Sequence, residues 1–162
     1  MKKFILFAFT ILSLSLLISG CEKKELVFEG NKEKKPISFK LHEVQCPKCH
    51  MEVDTLKYAV QVVLNDGKTY IFDDPGCVIL WLEENKIDPK SVTIWAHAID
   101  TNRWIDAKKA YYSLTDKTPM GYGFGAYEHK KKGFITFQEM RIKMLRGENL
   151  TNPKIRKKLL GY

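Results

Sequence analysis

Six consecutive residues, Cys46-Pro47-Lys48-Cys49-His50-Met51, crowd two thiols, an imidazole and a thioether into less than two turns of any backbone. Thiolate and thioether sulfurs are soft donors, and together they select Cu(I) over hard cations such as Mg²⁺ or Ca²⁺. Zinc takes Cys, His or carboxylate ligands and seldom Met, so Met51 tilts the Cys-x-x-Cys pair toward copper. His50 adds a nitrogen donor between them. Two other chemistries use the same residues. Cys46 and Cys49 have the spacing of a thiol–disulfide pair with a low-pKa attacking thiol. Cys46, Cys49 and Cys77 with a His would make a structural zinc knuckle.

The start of the chain bears on what those thiols do. Lys2 and Lys3 precede an uncharged apolar run, Phe4 to Ile18, of secretory-signal length and short for a transmembrane span. The run ends in Leu17-Ile18-Ser19-Gly20-Cys21, similar to the lipobox of bacterial lipoproteins, in which the chain is cut before the Cys and the Cys carries lipid. The expectation is a signal peptide over 1–20, a lipidated Cys21 and an extracytoplasmic protein. Cys46, Cys49 and Cys77 then remain of the four cysteines, an odd number, so at least one thiol is free or binds something. Thiols held in an oxidising compartment read as working residues.

The elements that must position these groups follow in order. Residues 21–40 are polar, rich in Lys and Glu and broken by Pro36, and read as a flexible tether. A domain is expected over 41–147 and a basic tail or short helix over 148–162. Tyr58 to Leu64 is a β-branched and aromatic strand, Asn65-Asp66-Gly67 a hairpin turn, and Lys68 to Asp73 the returning strand. Asp74 and Pro75 then open a helix as N-cap and first residue, and the Asp73-Asp74 pair reads as a cap. Cys77 falls in the first turn, where backbone N–H groups and the dipole favour a thiolate. It is a candidate third sulfur, against its other reading as a small buried helix residue.

Val92 to Ile99 is a further strand, with Val92, Ile94, Ala96 and Ala98 on one face. Arg103 to Ala107 returns it, and Ala110 to Leu114 and Gly133 to Ile135 are candidate strands. In Thr118-Pro119-Met120-Gly121-Tyr122-Gly123-Phe124-Gly125, glycines at alternate positions predict close backbone approach or unusual φ. Thr136 with Glu139 is a capping-box signature opening a helix over Phe137 to Leu145, where Met140 and Met144 form a core stripe. His42, His97 and His129 read as structural. The fold class is α+β: antiparallel β-hairpins with helices packed on one face, arranged as two degenerate ββα-type halves.

Taken together, the lipobox, Cys-Pro-Lys-Cys-His-Met, the run Tyr70-Ile71-Phe72-Asp73-Asp74-Pro75-Gly76-Cys77, Trp104-Ile105-Asp106-Ala107 and Thr118-Pro119-Met120-Gly121-Tyr122-Gly123 resemble the NosL lipoproteins. These are copper-binding accessory proteins of nitrous oxide reductase, anchored in the membrane and facing the periplasm. The resemblance spans Val44 to Leu145. It implies a Cu(I) carrier, not an enzyme, that receives copper from a donor and works with the reductase assembly machinery. It places the metal ligands at Cys49, Met51 and Met120, with Cys46 as an added cysteine and His50 standing where many members have a small residue, often Gly.

The chain's 27 basic residues against 19 acidic ones give a net charge of +8. Runs such as Lys130 to Lys132 read as a solvated surface facing anionic lipid. A nucleic-acid partner is not expected outside the cytoplasm. No Ser/His/Asp elbow, phosphate loop or cofactor fingerprint is present in the sequence. The alternative to a carrier is a thiol–disulfide oxidoreductase using Cys46 and Cys49, although the motif does not open a helix after a strand as a thioredoxin-like site would.

Overall fold

The structure, a computed structural model, describes residues 26–161. The expected signal segment and Cys21 lie outside the described residues. Among the described residues, two antiparallel sheets and three α-helices make an α+β fold.

Strand β1 (Val60–Val63) pairs with β2 (Thr69–Phe72) through the Asn65-Asp66-Gly67 turn, with Val63 opposite Thr69. Helix α1 (Pro75–Glu84) follows, with Asp74 as its N-cap accepting from the Gly76 N–H at 2.8 Å and Pro75 in the first turn. The helix crosses the sheet and returns the chain to β3 (Thr93–His97), which pairs with the other side of β1. Strand β4 (Trp104–Asp106) adds to β3, giving the order β2-β1-β3-β4. Strands β5 (Tyr111–Tyr112), β6 (Ala126–Tyr127) and β7 (Ile135–Thr136) make a second sheet in the order β6-β5-β7.

Helix α2 (Phe137–Leu145) starts at the expected capping box. Glu139 N–H donates to Thr136 Oγ1 at 3.3 Å, and Thr136 N–H donates to Glu139 Oε2 at 2.8 Å. Helix α3 (Pro153–Leu160) is short, basic and exposed. Among the described residues no helix is long and apolar enough to cross a membrane.

The two-halves arrangement holds for the hairpins and fails for the connections. The second hairpin docks on β1 to complete one sheet, and α2 follows the second sheet rather than a simple ββα repeat. Both hairpins are too short to bury a face alone, and joining edge to edge completes the backbone hydrogen bonds of β1 and β3.

The main core lies between the four-stranded sheet and helices α1 and α2. Val60, Val62, Phe72, Ile94 and Ala96 meet Val78, Leu82, Phe137, Met140 and Met144 there. The opposite face is also covered. Phe28, Ile37, Phe39 and Leu41 pack on Val44, Val53, Ala59 and Ile71. Burial on both faces explains why the β1 sequence alternates poorly, since a strand without a wet side has no reason to alternate.

That second cover corrects the tether expected over 21–40, as far as residues 26–40 are concerned. Phe28 exchanges backbone hydrogen bonds with Thr69, and Asn31 N–H donates to Gly67 O at 3.0 Å. The Gln61 amide accepts from Ile37 N–H and donates to Ile37 O, both at 2.9 Å, and the Trp95 indole donates to Lys34 O at 2.8 Å. The polar composition of this stretch hides three apolar anchors, Phe28, Ile37 and Phe39, which face the sheet while the charged residues between them stay wet.

Candidate metal centre

Three separate segments meet at the cysteines. The first is the loop carrying the Cys-Pro-Lys-Cys-His-Met run, clipped into a small hairpin by Cys46 N–H donating to Met51 O at 2.9 Å and His50 N–H donating to Cys46 O at 3.0 Å. Gln45 and Glu52 pair across its base. The hairpin closes because His50 takes the left-handed conformation at φ 62°, a region that glycine enters most easily. The second segment is the end of β2, which delivers Asp73. The third is the first turn of α1, which delivers Cys77.

The Sγ atoms of Cys46, Cys49 and Cys77 and a carboxylate oxygen of Asp73 all lie within 4.8 Å of one another. All three thiols are free. Cys46 and Cys77 are wholly buried and Cys49 is half-buried, so Cys49 is the least covered of the three. The Cys49 thiol donates to Asp73 Oδ1 at 3.2 Å. Asp73 Oδ2 is buried with no hydrogen-bond partner.

The electrostatics are unequal across the three sulfurs. A hydrogen bond from the Cys77 thiol holds Cys46 below the ordinary thiol range, against the opposing effects of burial and Asp73. The same hydrogen bond, with burial next, pushes Cys77 well up. Burial first, then the negative charges of Cys46 and Asp73, push Cys49 up to about 12. The helix start therefore does not make Cys77 a ready thiolate, because its hydrogen bond to Cys46 and its burial both hold the proton on it. A metal ion would replace these protons, since thiolate is the ligand form.

Asp74 does a different job from its neighbour. Its Oδ1 caps α1 while its Oδ2 accepts the Met120 N–H at 3.1 Å, which ties the glycine-rich loop to the start of the helix. Burial raises the Asp74 carboxyl to about 6, with hydrogen bonds from Thr118 and the Gly76 and Met120 backbone opposing the shift. The glycines allow this approach. A Cβ at Gly76 would lie 2.3 Å from the Tyr122 ring, and Gly123 sits at φ 94° where a Cβ would lie 2.6 Å from Leu114 O. Both reasons expected for glycines in this region, close approach and positive φ, are found.

The predicted ligands thus fall into two groups. Cys46 and Cys49 converge with Cys77. Met51 is 45% exposed at the rim of the loop and His50 is exposed, so neither is buried with the sulfurs. Met120 is half-buried and held to Asp74 through its backbone, beside the main core. The zinc-knuckle expectation named a His as fourth group, and the group of four contains Asp73 instead. In the sequence Asp73 reads only as part of a helix cap. The signal that singles it out is the spare acid itself: one Asp suffices to cap α1, and the other precedes Cys77 by four residues across the strand–helix junction.

As a donor set the three sulfurs suit a soft ion such as Cu(I), and two or three thiolates satisfy it. His97, by contrast, is structural: it packs edge-on against Trp104 with ring centroids 5.2 Å apart. Compared with protein-family models and with curated proteins, the chain matches none.

Proposed function

We propose that the protein is a Cu(I)-binding carrier, lipid-anchored through Cys21 on the periplasmic face of a bacterial membrane, that hands copper to the assembly of the copper centres of nitrous oxide reductase. The observation that carries the copper part is the convergence of Cys46, Cys49 and Cys77 from one loop and a helix start. The anchor and the reductase partner rest on the lipobox and on the resemblance to NosL lipoproteins.

The chain's own residues supply a capture and release geometry. Cys46 and Cys77 form a buried pair that retains the ion, and Cys49 stands at the opening where an incoming or departing ligand of a donor or acceptor meets it. Exchange through a shared three-coordinate arrangement needs one accessible sulfur, and Cys49 provides it. A thiol–disulfide enzyme would need an accessible, ionised attacking thiol. Here the accessible sulfur, Cys49, is pushed up to about 12 and the lowered one, Cys46, is buried. This favours a carrier without catalysis.

Anaerobic titration of the reduced chain with Cu(I) against a chromophoric chelator tests the proposal. The expected result is tight one-to-one binding, lost in Cys49→Ser and in Cys77→Ser. Failure to compete with the chelator would overturn it, and a disulfide-exchange rate well above that of a simple dithiol would move the function to the enzyme.

A further inference from the structure

The cluster contains one donor that a Cu(I) carrier does not need. Asp73 is 2% exposed, and of its two oxygens one takes the Cys49 thiol while the other is buried without a partner. An unpartnered buried carboxylate oxygen is costly, and such a group in a folded protein calls for an explanation. Capping does not supply one, because Asp74 holds the helix start and the Met120 loop by itself. The carboxylate lies with three sulfurs, and one of its oxygens and the three Sγ atoms stand within 4.8 Å of one another. Tetrahedral zinc with Zn–S of about 2.3 Å and Zn–O of about 2.1 Å sets its donors somewhat under 4 Å apart, so a small contraction closes the four around an ion.

We propose that Cys46, Cys49, Cys77 and Asp73 form a tetrahedral site for a zinc-class divalent cation, with an Asp73 carboxylate oxygen as the fourth ligand. The charge balance separates this cargo from Cu(I). A divalent ion displaces the remaining thiol protons to solvent, binds three thiolates and the Asp73 carboxylate and leaves the site dianionic. Cu(I) on the same four ionised groups would leave a trianion in a buried pocket beside Asp74, which is unfavourable without compensating partners. Cu(I) is therefore held by sulfur alone, with one of the four groups keeping its proton and Asp73 outside its coordination, while a divalent ion recruits the carboxylate. Hardness points the same way, since a carboxylate suits zinc and is a poor donor to Cu(I). Asp73 then gives one cluster two occupants: a divalent ion that caps the thiols, and Cu(I), which displaces it through its stronger affinity for sulfur. This inference shares the sulfur cluster with the carrier reading and does not depend on copper being the natural cargo.

The test uses the full chain in mild detergent, reduced and anaerobic, with Co(II) as the spectroscopic probe and Zn(II) as the displacing ion. Expected are one equivalent of Co(II) with intense visible d–d bands of four-coordinate cobalt and sulfur-to-metal charge transfer, both bleached by Zn(II). X-ray absorption of the zinc form should give three sulfurs and one light atom, a measurement that needs no variant. Asp73→Asn should weaken Co(II) and Zn(II) binding about tenfold or more, Asp73→Glu should retain the cobalt bands, and X-ray absorption of the Cu(I) form of the parent should show sulfur neighbours alone. Weak bands of six-coordinate cobalt, a sulfur-only zinc shell or an Asp73→Asn variant that binds both divalent ions as before would overturn the inference and leave the copper carrier standing. Asp73-dependent zinc binding by a chain that fails to hold Cu(I) would do the reverse.

Discussion

The backbone N–H of Met120 donates to Asp74 Oδ2 at 3.1 Å, while the other oxygen of the same carboxylate caps helix α1 at the Gly76 N–H. One buried side chain therefore fixes the distance between the glycine-rich loop and the helix that carries Cys77. It also keeps Met120 beside the core rather than free to swing.

Asp74→Ala removes both contacts at once, together with the hydrogen bond from Thr118. Loss of the cap costs about 1 kcal/mol, and a stranded, partly buried N–H at Met120 adds about 1–3 kcal/mol. Thermal or urea unfolding should show a loss of about 2–4 kcal/mol. Asp74→Asn keeps one acceptor oxygen and should lose less. A variant as stable as the parent in both cases would show that the loop is held by packing of Tyr122 against Gly76 instead.

Removing residues 26–40 should destabilise the domain and broaden its unfolding, because Phe28, Ile37, Phe39 and the backbone partners of Gln61 go together. The milder Gln61→Ala leaves Ile37 N–H and C=O without their partner and should cost about 2–4 kcal/mol. An unchanged urea midpoint for Gln61→Ala would mean that water replaces the amide and that the segment is only loosely laid on the sheet.

This segment marks where local reading of the sequence stops. Helix α1 from Asp74 and Pro75, the hairpin around Asn65-Asp66-Gly67 and the capping box of Thr136 and Glu139 are short-range features, written in residues that touch one another, and they were legible. The cover over β1 was not, since Ile37 meets Gln61 across 24 positions and nothing near Ile37 announces it. The site divides the same way. Cys46 and Cys49 advertise themselves by spacing, whereas Asp73 joins them only through the sheet, and its polar type at a strand–helix junction reads equally well as a cap. Met51 shows the opposite failure, a residue adjacent in sequence that the closed hairpin leaves exposed.

Stability should fall in mild acid through His97. Burial lowers its pKa below the ordinary value, and Nδ1 is buried without a partner. The unfolded chain takes up a proton near the ordinary histidine value of about 6.5 while the folded chain resists, so the unfolded state binds more protons in that window. The stabilising effect is present above about pH 6.5 and is lost as pH falls through the folded pKa. Urea midpoints at pH 7.5 and pH 5 should separate the parent from His97→Gln, which lacks this slope. Parallel curves for the two proteins would place the acid sensitivity elsewhere.

Metal loading should release protons, and the rim residues should matter little to it. Cys49 is pushed up to about 12 and Cys77 is also raised, so both are thiols at neutral pH and give up their protons when a metal binds. Apparent Cu(I) affinity should rise with pH, with about two protons released per ion. Met51→Leu and His50→Gly should bind within about threefold of the parent, because both side chains stand in solvent rather than with the sulfurs. Cys77→Ser should lose binding by about a hundredfold or more. Chelator competition across pH 6 to 8 measures all three effects on the same protein. A large loss in Met51→Leu with little in Cys77→Ser would move the copper to the rim of the Cys46–Met51 loop and leave the buried cluster without it.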